Sequence, residues 1–215
     1  MKKNILLFIL CTGLLSDLHS QSNFSNRKIE SLKNQVRQLV EEDKKMTQVM
    51  IDKVFSFGEL GFQEFETSKY MGGILEENGF NVEYKISDIP TSWLATWTNG
   101  EGGPVIALGS DFDGVPSTSQ YPGVAYEKPV VEGAPGHGEG HNIGLPIVVT
   151  SALALKKIMI ENNIKGTLLI WPGVAEEILG SKAWYVRDGY FDDVDMCIFT
   201  HVSTNMSTSW GRPTG

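Results

Sequence analysis

The sequence predicts an α/β fold, a sheet with helices on both faces, and two observations predict it. Apolar residues recur at helical spacing in several stretches, and between these stretches lie short runs that are apolar throughout. Strands that are apolar on both sides are strands covered on both sides, which is the signature of a sheet sandwiched between helices. At 215 residues the chain is long enough to bury one sizeable core.

Each element has its own signal. Residues 24–48 carry Ile29, Leu32, Val36, Leu39 and Val40 at helical spacing, and residues 46–57 continue as a second helical stretch. Gly58-Glu59-Leu60-Gly61 breaks the pattern. Residues 66–79 place Tyr70, Met71, Ile74 and Leu75 on one helical face, with Gly79 as the stop. The period then changes: residues 81–86 and 93–98 read as strands, followed by the turn signals Asn99-Gly100 and Gly102-Gly103. Residues 105–108 form a short apolar strand, and a Gly/Pro-rich loop runs from 113 to about 141. Residues 143–162 read as a helix with Asn142 as N-cap and Pro146 in its first turn. Residues 167–171 form an apolar strand, 181–188 a helix and 196–200 a last strand, before a polar tail over 205–215.

The first twenty residues have the layout of a secretory signal peptide rather than of a folded element. Lys2 and Lys3 precede an apolar run over 5–15, and a small residue, Ser20, closes the segment. The run is too short for a stable membrane span; a buried apolar helix is the alternative reading. Leu10 stands before Cys11 where a lipid-attachment signal wants a small residue, so lipidation is not expected. The expected location is therefore outside the cytoplasm, periplasmic or extracellular. Removal of the signal leaves Cys197 as the single cysteine, in a run that reads as a buried strand, so a core residue is expected and an internal disulfide is excluded. A formal net charge of -8, with no Lys/Arg cluster, argues against nucleic acid and anionic lipid as partners.

Four segments carry candidate chemistry, and most sit just past the C-terminal end of an apolar strand, where open α/β sheets build their sites. Asp111 and Asp113 follow the strand at 105–108; two apart in an extended chain, they point the same way, although a plain acidic turn would look the same. Gly136-His137-Gly138-Glu139-Gly140-His141-Asn142 alternates glycine with potential ligands, and imidazole with carboxylate suits zinc, manganese or cobalt better than calcium. Glu176 and Glu177 are adjacent carboxylates, costly unless a cation or proton is shared, although a solvated acidic pair is the ordinary alternative. One of them could ligate a metal while the other serves as base to a water. His201 follows the last strand, as a ligand or as a structural hydrogen-bonding group. No nucleophile elbow, phosphate loop or dinucleotide fingerprint competes.

These segments together resemble the M20 metallopeptidases, in particular the branch of aminoacylase-like, indole-acetyl-amino-acid and aminobenzoyl-glutamate hydrolases. The likeness rests on Gly58-Glu59-Leu60-Gly61-Phe62-Gln63-Glu64-Phe65-Glu66-Thr67-Ser68, on Asp111-Phe112-Asp113-Gly114-Val115-Pro116, on the loop from Gly136 to Asn142, on Glu176-Glu177 and on His201, in one order over residues 30 to 205. The resemblance implies a three-layer α/β/α zinc-peptidase-like catalytic domain. It also implies a divalent-metal site, of two ions when complete, holding manganese, zinc or cobalt. Glu139, His141, Glu177 and His201 would be ligands and Glu176 the general base, with Asp111, Asp113 and His137 supporting them. The implied activity is hydrolysis of the amide of an N-acyl amino acid or a small peptide-like molecule. An exported aminopeptidase or carboxypeptidase on the same scaffold is a third possibility, beside a truncated or degenerate homologue that binds metal without catalysis.

Two departures stand out. The branch usually has Cys where this chain has Glu139, and a carboxylate favours a harder ion than a thiolate does. The resemblance also implies that the segment after His201 leads into a lid or dimerisation domain and back to a further histidine ligand. The expected division is thus a signal over 1–20, the N-terminal part of the catalytic domain over 21–205, and the start of that connection over 206–215, with a homodimer expected only for the longer protein and little activity from this chain alone.

Overall fold

The computed structural model describes residues 24–209. The signal-like segment 1–20 and residues 210–215 lie outside the described residues.

Two helices lead the chain. Helix α1 spans Asn26–Glu42, and the Ser25 hydroxyl caps it by accepting the Lys28 amide at 3.3 Å. Helix α2 spans Lys44–Phe57, buries Met50 and Val54, and ends at Gly58 in the left-handed region. The second helix therefore begins two residues before the expected Met46, because Asp43 ends one helix and its carbonyl accepts the Thr47 amide of the next. Helix α3 spans Phe65–Glu77 and buries Met71 and Leu75.

The sheet has five strands: β1 (Asn81–Tyr84), β2 (Trp93–Asn99), β3 (Val105–Asp111), β4 (Gly166–Gly173) and β5 (Met196–Phe199), in the order β1-β2-β4-β3-β5. Strands β3, β4 and β5 run parallel, whereas β2 pairs antiparallel with both β1 and β4. Helix α4 (His141–Glu161) connects β3 to β4, and the short helix α5 (Lys182–Arg187) connects β4 to β5. Alternation along β3 places these helices on opposite faces. Ser110 lies against Gly144 of α4, while its neighbour Asp111 meets Lys182 of α5. The three-layer arrangement follows.

Helix α4 begins at His141 rather than at 143. Gly140, left-handed at φ 78, takes the cap position, and Asn142 lies buried inside the first turn instead of capping it. The glycine loop is thus joined directly to the core helix at its second histidine. Pro146 consequently lies two residues deeper than expected, in the second turn. α4 has the length and hydropathy to cross a bilayer, yet Leu145, Val149, Ala152 and Ile158 bury it against the sheet and the first two helices. Burial of side chains of that size contributes about 1.5–3 kcal/mol each, so α4 dominates the core, whereas α1 buries no residue fully.

A further expectation fails at the last strand. The run around Cys197 reads in the sequence as a buried strand, but among the described residues β5 pairs only with β3, and all four of its residues, Cys197 included, are exposed. Apolar composition signals a strand there without saying whether an edge is covered.

Two glycines test the packing in opposite directions. A Cβ on Gly109 would run into the buried Trp171 ring, whereas one on Gly73, inside α3, meets nothing within 4 Å. Gly109→Ala is expected to cost about 1–3 kcal/mol, and Gly73→Ala to add about 0.5–1 kcal/mol. Urea unfolding midpoints shifted in the same direction by both changes would contradict this packing.

Candidate metal centre

Three parallel strands end on the same side of the sheet, and each delivers an acidic or imidazole group there. Asp111 is the last residue of β3, Glu176 and Glu177 lie in a 3-10 turn just beyond β4, and His201 follows β5 by two residues. The fourth contributor, His141, is the first residue of α4.

Histidine hydrogen bonds define the centre. Asp113 offers a backbone carbonyl 2.9 Å from His141 Nδ1, and Val202 offers one 2.7 Å from His201 Nδ1. A carbonyl only accepts, so both Nδ1 atoms donate. Each ring then directs Nε2 inward, and the two Nε2 atoms face each other at 3.0 Å with the rings nearly perpendicular, at 87°. Two nitrogen lone pairs at that separation repel unless a proton or a cation lies between them.

The surrounding carboxylates sharpen that demand. Ligand-type atoms of Asp111, His141 and His201 lie within 4.8 Å of one another, as do those of Glu139, His141 and Glu177. The two sets share His141. Glu139 Oε2 is 3.9 Å from His201 Nε2, and Glu177 Oε1 is 3.9 Å from His141 Nδ1. Asp113 Oδ1 and Glu177 Oε1 are buried yet accept no hydrogen bond. A buried carboxylate oxygen without a donor is costly, and a divalent cation is the group that would satisfy Glu177 Oε1 and the facing nitrogens. The residues present therefore fit a divalent ion.

Protonation reflects the same crowding. Burial opposes charge on His141, but hydrogen bonding to Asp113 and the nearby Asp111 and Asp113 carboxylates outweigh it and raise its pKa to about 9. Burial pushes Asp111 up to about 6, against the pull of Lys182. Glu177 is also raised, by burial first and then by the Glu139 charge.

Asp113 and His137 stand behind these groups. Asp113 Oδ2 accepts the Glu177 backbone amide at 3.1 Å, so this one residue orients both His141 and Glu177. His137 belongs to neither ligand set. Its Nε2 donates to the Val54 carbonyl at 3.1 Å and its ring lies 6.5 Å from that of Phe55, which pins the glycine loop to α2. Burial lowers its pKa to about 4, so it is neutral at pH 7.

Two participants carry no sequence signal of their own. Lys182 Nζ lies 2.9 Å from Asp111 Oδ1 and 3.8 Å from Glu176 Oε1, an ammonium set among acids. Gly173 makes room for it, since a Cβ there would meet both Asp111 and the Lys182 stem. Glu64 is fully buried, and its carboxylate accepts the Ala175 amide and the Thr91 hydroxyl, each at 2.8 Å. Ala175 is left-handed at φ 54, a conformation that costs a non-glycine residue about 1–2 kcal/mol. A lone lysine on a short helix reads as surface. Glu64 stands in the stretch from Gly58 to Ser68 that carries the family likeness, but its partners are distant in sequence.

No family model matches the chain. A p-aminobenzoyl-glutamate hydrolase subunit of Escherichia coli (strain K12) is 33% identical over 162 residues, 75% of this chain and 33% of that protein. The hippurate hydrolase of Campylobacter jejuni is 31% identical over 139 residues, 64% of this chain and 33% of that protein. Among solved structures, the YXEP protein of Bacillus subtilis, described as a dinuclear metal binding peptidase from the M20 family, superposes with a TM-score of 0.60 at 25% identity, over 75% of this chain and 44% of that one. The chain spans about a third of the length of these curated relatives. Both the sequence relatives and the shared three-layer fold converge on one assignment: the chain belongs to the M20 family of amidohydrolases and metallopeptidases.

Proposed function

We propose that the protein is a metal-dependent hydrolase that cleaves the amide bond of an N-acyl amino acid or a small peptide-like substrate. The observation that carries this reading is the pair of inward-facing Nε2 atoms of His141 and His201, 3.0 Å apart and ringed by Asp111, Glu139 and Glu177. The relatives add the chemistry: hydrolysis of p-aminobenzoyl-glutamate and of hippurate, by their names, breaks an amide to an amino acid.

In this reading Glu139, His141, Glu177 and His201 hold the metal, and Asp111 is placed to join them. A divalent ion there would polarise the scissile carbonyl and acidify a water molecule. Glu176 takes the proton from the water as its oxygen attacks the carbonyl carbon, and returns a proton to the nitrogen as the C–N bond breaks. Lys182, bridging Asp111 and Glu176, restrains both side chains. Asp113 fixes the Nδ1-protonated form of His141, so that Nε2 keeps its lone pair for the ion. Glu139 supplies a carboxylate where the branch usually has a thiolate, which favours manganese or cobalt over zinc. The two ligand sets share His141, whose one free lone pair serves a single ion, so a second ion would be held by the remaining carboxylates. Reading residues 1–20 as a secretory signal places this reaction outside the cytoplasm.

Glu176→Gln in the full-length protein is expected to lower kcat by ~10²–10⁴-fold while metal content stays unchanged. Activity near that of the wild type would remove Glu176 as the base, and lost metal would recast it as a ligand. Stripping the protein with a chelator should abolish hydrolysis, and adding back Mn²⁺, Co²⁺ or Zn²⁺ one at a time should restore it to different extents.

The pH dependence follows from His141. Its pKa is about 9 in the folded, metal-free protein and about 6.5 in an unfolded chain. Its stabilising protonation is thus complete below about pH 6.5 and is lost as the pH rises through about 9. An ion must displace that proton. Metal affinity should therefore climb from pH 6.5 toward 9, with proton release on binding, and should fall further below about 6, where Asp111 is protonated. Calorimetric titration in buffers of differing ionisation enthalpy measures the released protons, and an affinity flat across that range would contradict the assignment of His141.

A further inference from the structure

We propose that Glu64 is the positioning residue for the Glu176–Glu177 pair, acting through the backbone of Ala175. The inference rests on the hydrolase reading for the role of those two glutamates.

Ala175 is the residue from which both glutamates spring, and three separate contacts hold it. Its side chain is boxed by glycines: a Cβ on Gly61 would lie 2.9 Å from Ala175 Cα, and one on Gly180 would lie 2.7 Å from Ala175 Cβ. Its carbonyl accepts the amides of Ile178 at 3.3 Å and Gly180 at 2.8 Å, which closes the turn carrying Glu176 and Glu177. Its amide donates to Glu64 Oε1 at 2.8 Å, across 111 residues of sequence. Of these, only the Glu64 contact ties the turn to a different part of the fold through a side chain.

Stability alone gives no reason for an acid at this place. Glu64 is completely buried, and both of its hydrogen-bond donors, an amide and the Thr91 hydroxyl, are neutral. A carboxylate in such surroundings is costly without a cation, and burial raises the Glu64 pKa accordingly. What it supplies is a strong acceptor aimed at one amide. That amide belongs to a left-handed, non-glycine residue, which holds its conformation only while its surroundings enforce it. The backbone direction leaving Ala175 sets where Glu176 and Glu177 point. Glu64 touches no atom of the reaction, yet the aim of the base and of one ligand depends on it. Its neighbour in the same motif, Glu59, serves the segment itself: its carboxylate accepts the Glu66 and Thr67 amides, each at 2.9 Å, and so caps α3.

The test uses the full-length protein. Glu64→Ala should keep its fold, shown by a cooperative melt. It should lose kcat on the order of 10²-fold, the scale of a displaced catalytic group, with a smaller change in KM, and bind Mn²⁺ more weakly in calorimetric titration. Glu64→Gln should recover most of both, because one amide oxygen still accepts from Ala175 while its NH₂ donates to Thr91. Gly61→Ala, which leaves Glu64 intact but pushes on Ala175, should reproduce the loss. A folded Glu64→Ala with kcat and Mn²⁺ affinity within about twofold of wild type overturns the proposal. So does a folded Glu64→Gln as impaired as Glu64→Ala, and so does a Gly61→Ala of unchanged activity and affinity. Should Glu64→Ala not fold, the other two variants decide. If the wild type hydrolyses no amide, the hydrolase reading fails, and the Mn²⁺ affinities of the same variants still decide the role of Glu64.

Discussion

Charge repulsion at one end of the sheet is the constraint on which the rest of the structure depends. Asp111, Asp113, Glu139 and Glu177 converge around His141, and Glu176 lies beside Asp111 across Lys182, the ammonium that offsets them among the described residues. Acids crowded in this way stay together only if a proton, an ammonium or a metal ion holds them. Each local feature of the site answers that demand. His141 keeps a proton to unusually high pH, Asp111 is paired with Lys182, and oxygens on Asp113 and Glu177 remain without donors. Such frustration is tolerated in natural proteins where function requires it.

The scaffold absorbs the resulting strain. Parallel β3, β4 and β5 bring three remote segments to one edge without a long detour, and α4 adds a fourth from the same side because it starts at His141. That helix end also matters electrically, since the positive end of the α4 dipole faces the acids. Behind the site, Glu64, Gly61 and Gly180 confine Ala175 to a conformation it would otherwise leave. Packing energy from Leu145, Val149, Ile170 and Trp93 in the core is what sustains these local costs.

Much of this is legible in the sequence, because the informative signals are local. Apolar runs ending in acids or histidine locate the strand ends, and the glycine-spaced His/Glu/His loop stands out by composition. What stays hidden depends on distance. Lys182 becomes part of the site only when β3 and α5 meet, and Glu64 only when residue 175 is brought beside it. The start of α4 reads two residues late in the sequence because Asn142 offers a good N-cap, whereas the chain uses the left-handed Gly140 instead. Cys197 misleads in a related way: a strand's composition reports what it is, but its exposure is decided by which neighbours the sheet provides.

Glu139 is the member of the site that this scaffold controls least by burial, with more than half of its side chain exposed on a loop. Its position follows from the residues on either side of it. His137, two residues earlier, is fastened to the Val54 carbonyl of α2, and His141, two residues later, to the Asp113 carbonyl beyond β3. The loop is also bridged at its base, where Val115 and Gly136 exchange amide-to-carbonyl bonds of 2.8 and 3.1 Å. Three residues spanning two fixed imidazoles have little freedom left, even with glycines between them. The first histidine of the loop, in neither candidate metal group among the described residues, thus anchors the loop, and a flexible carboxylate becomes an oriented one because the chain is held on both sides of it.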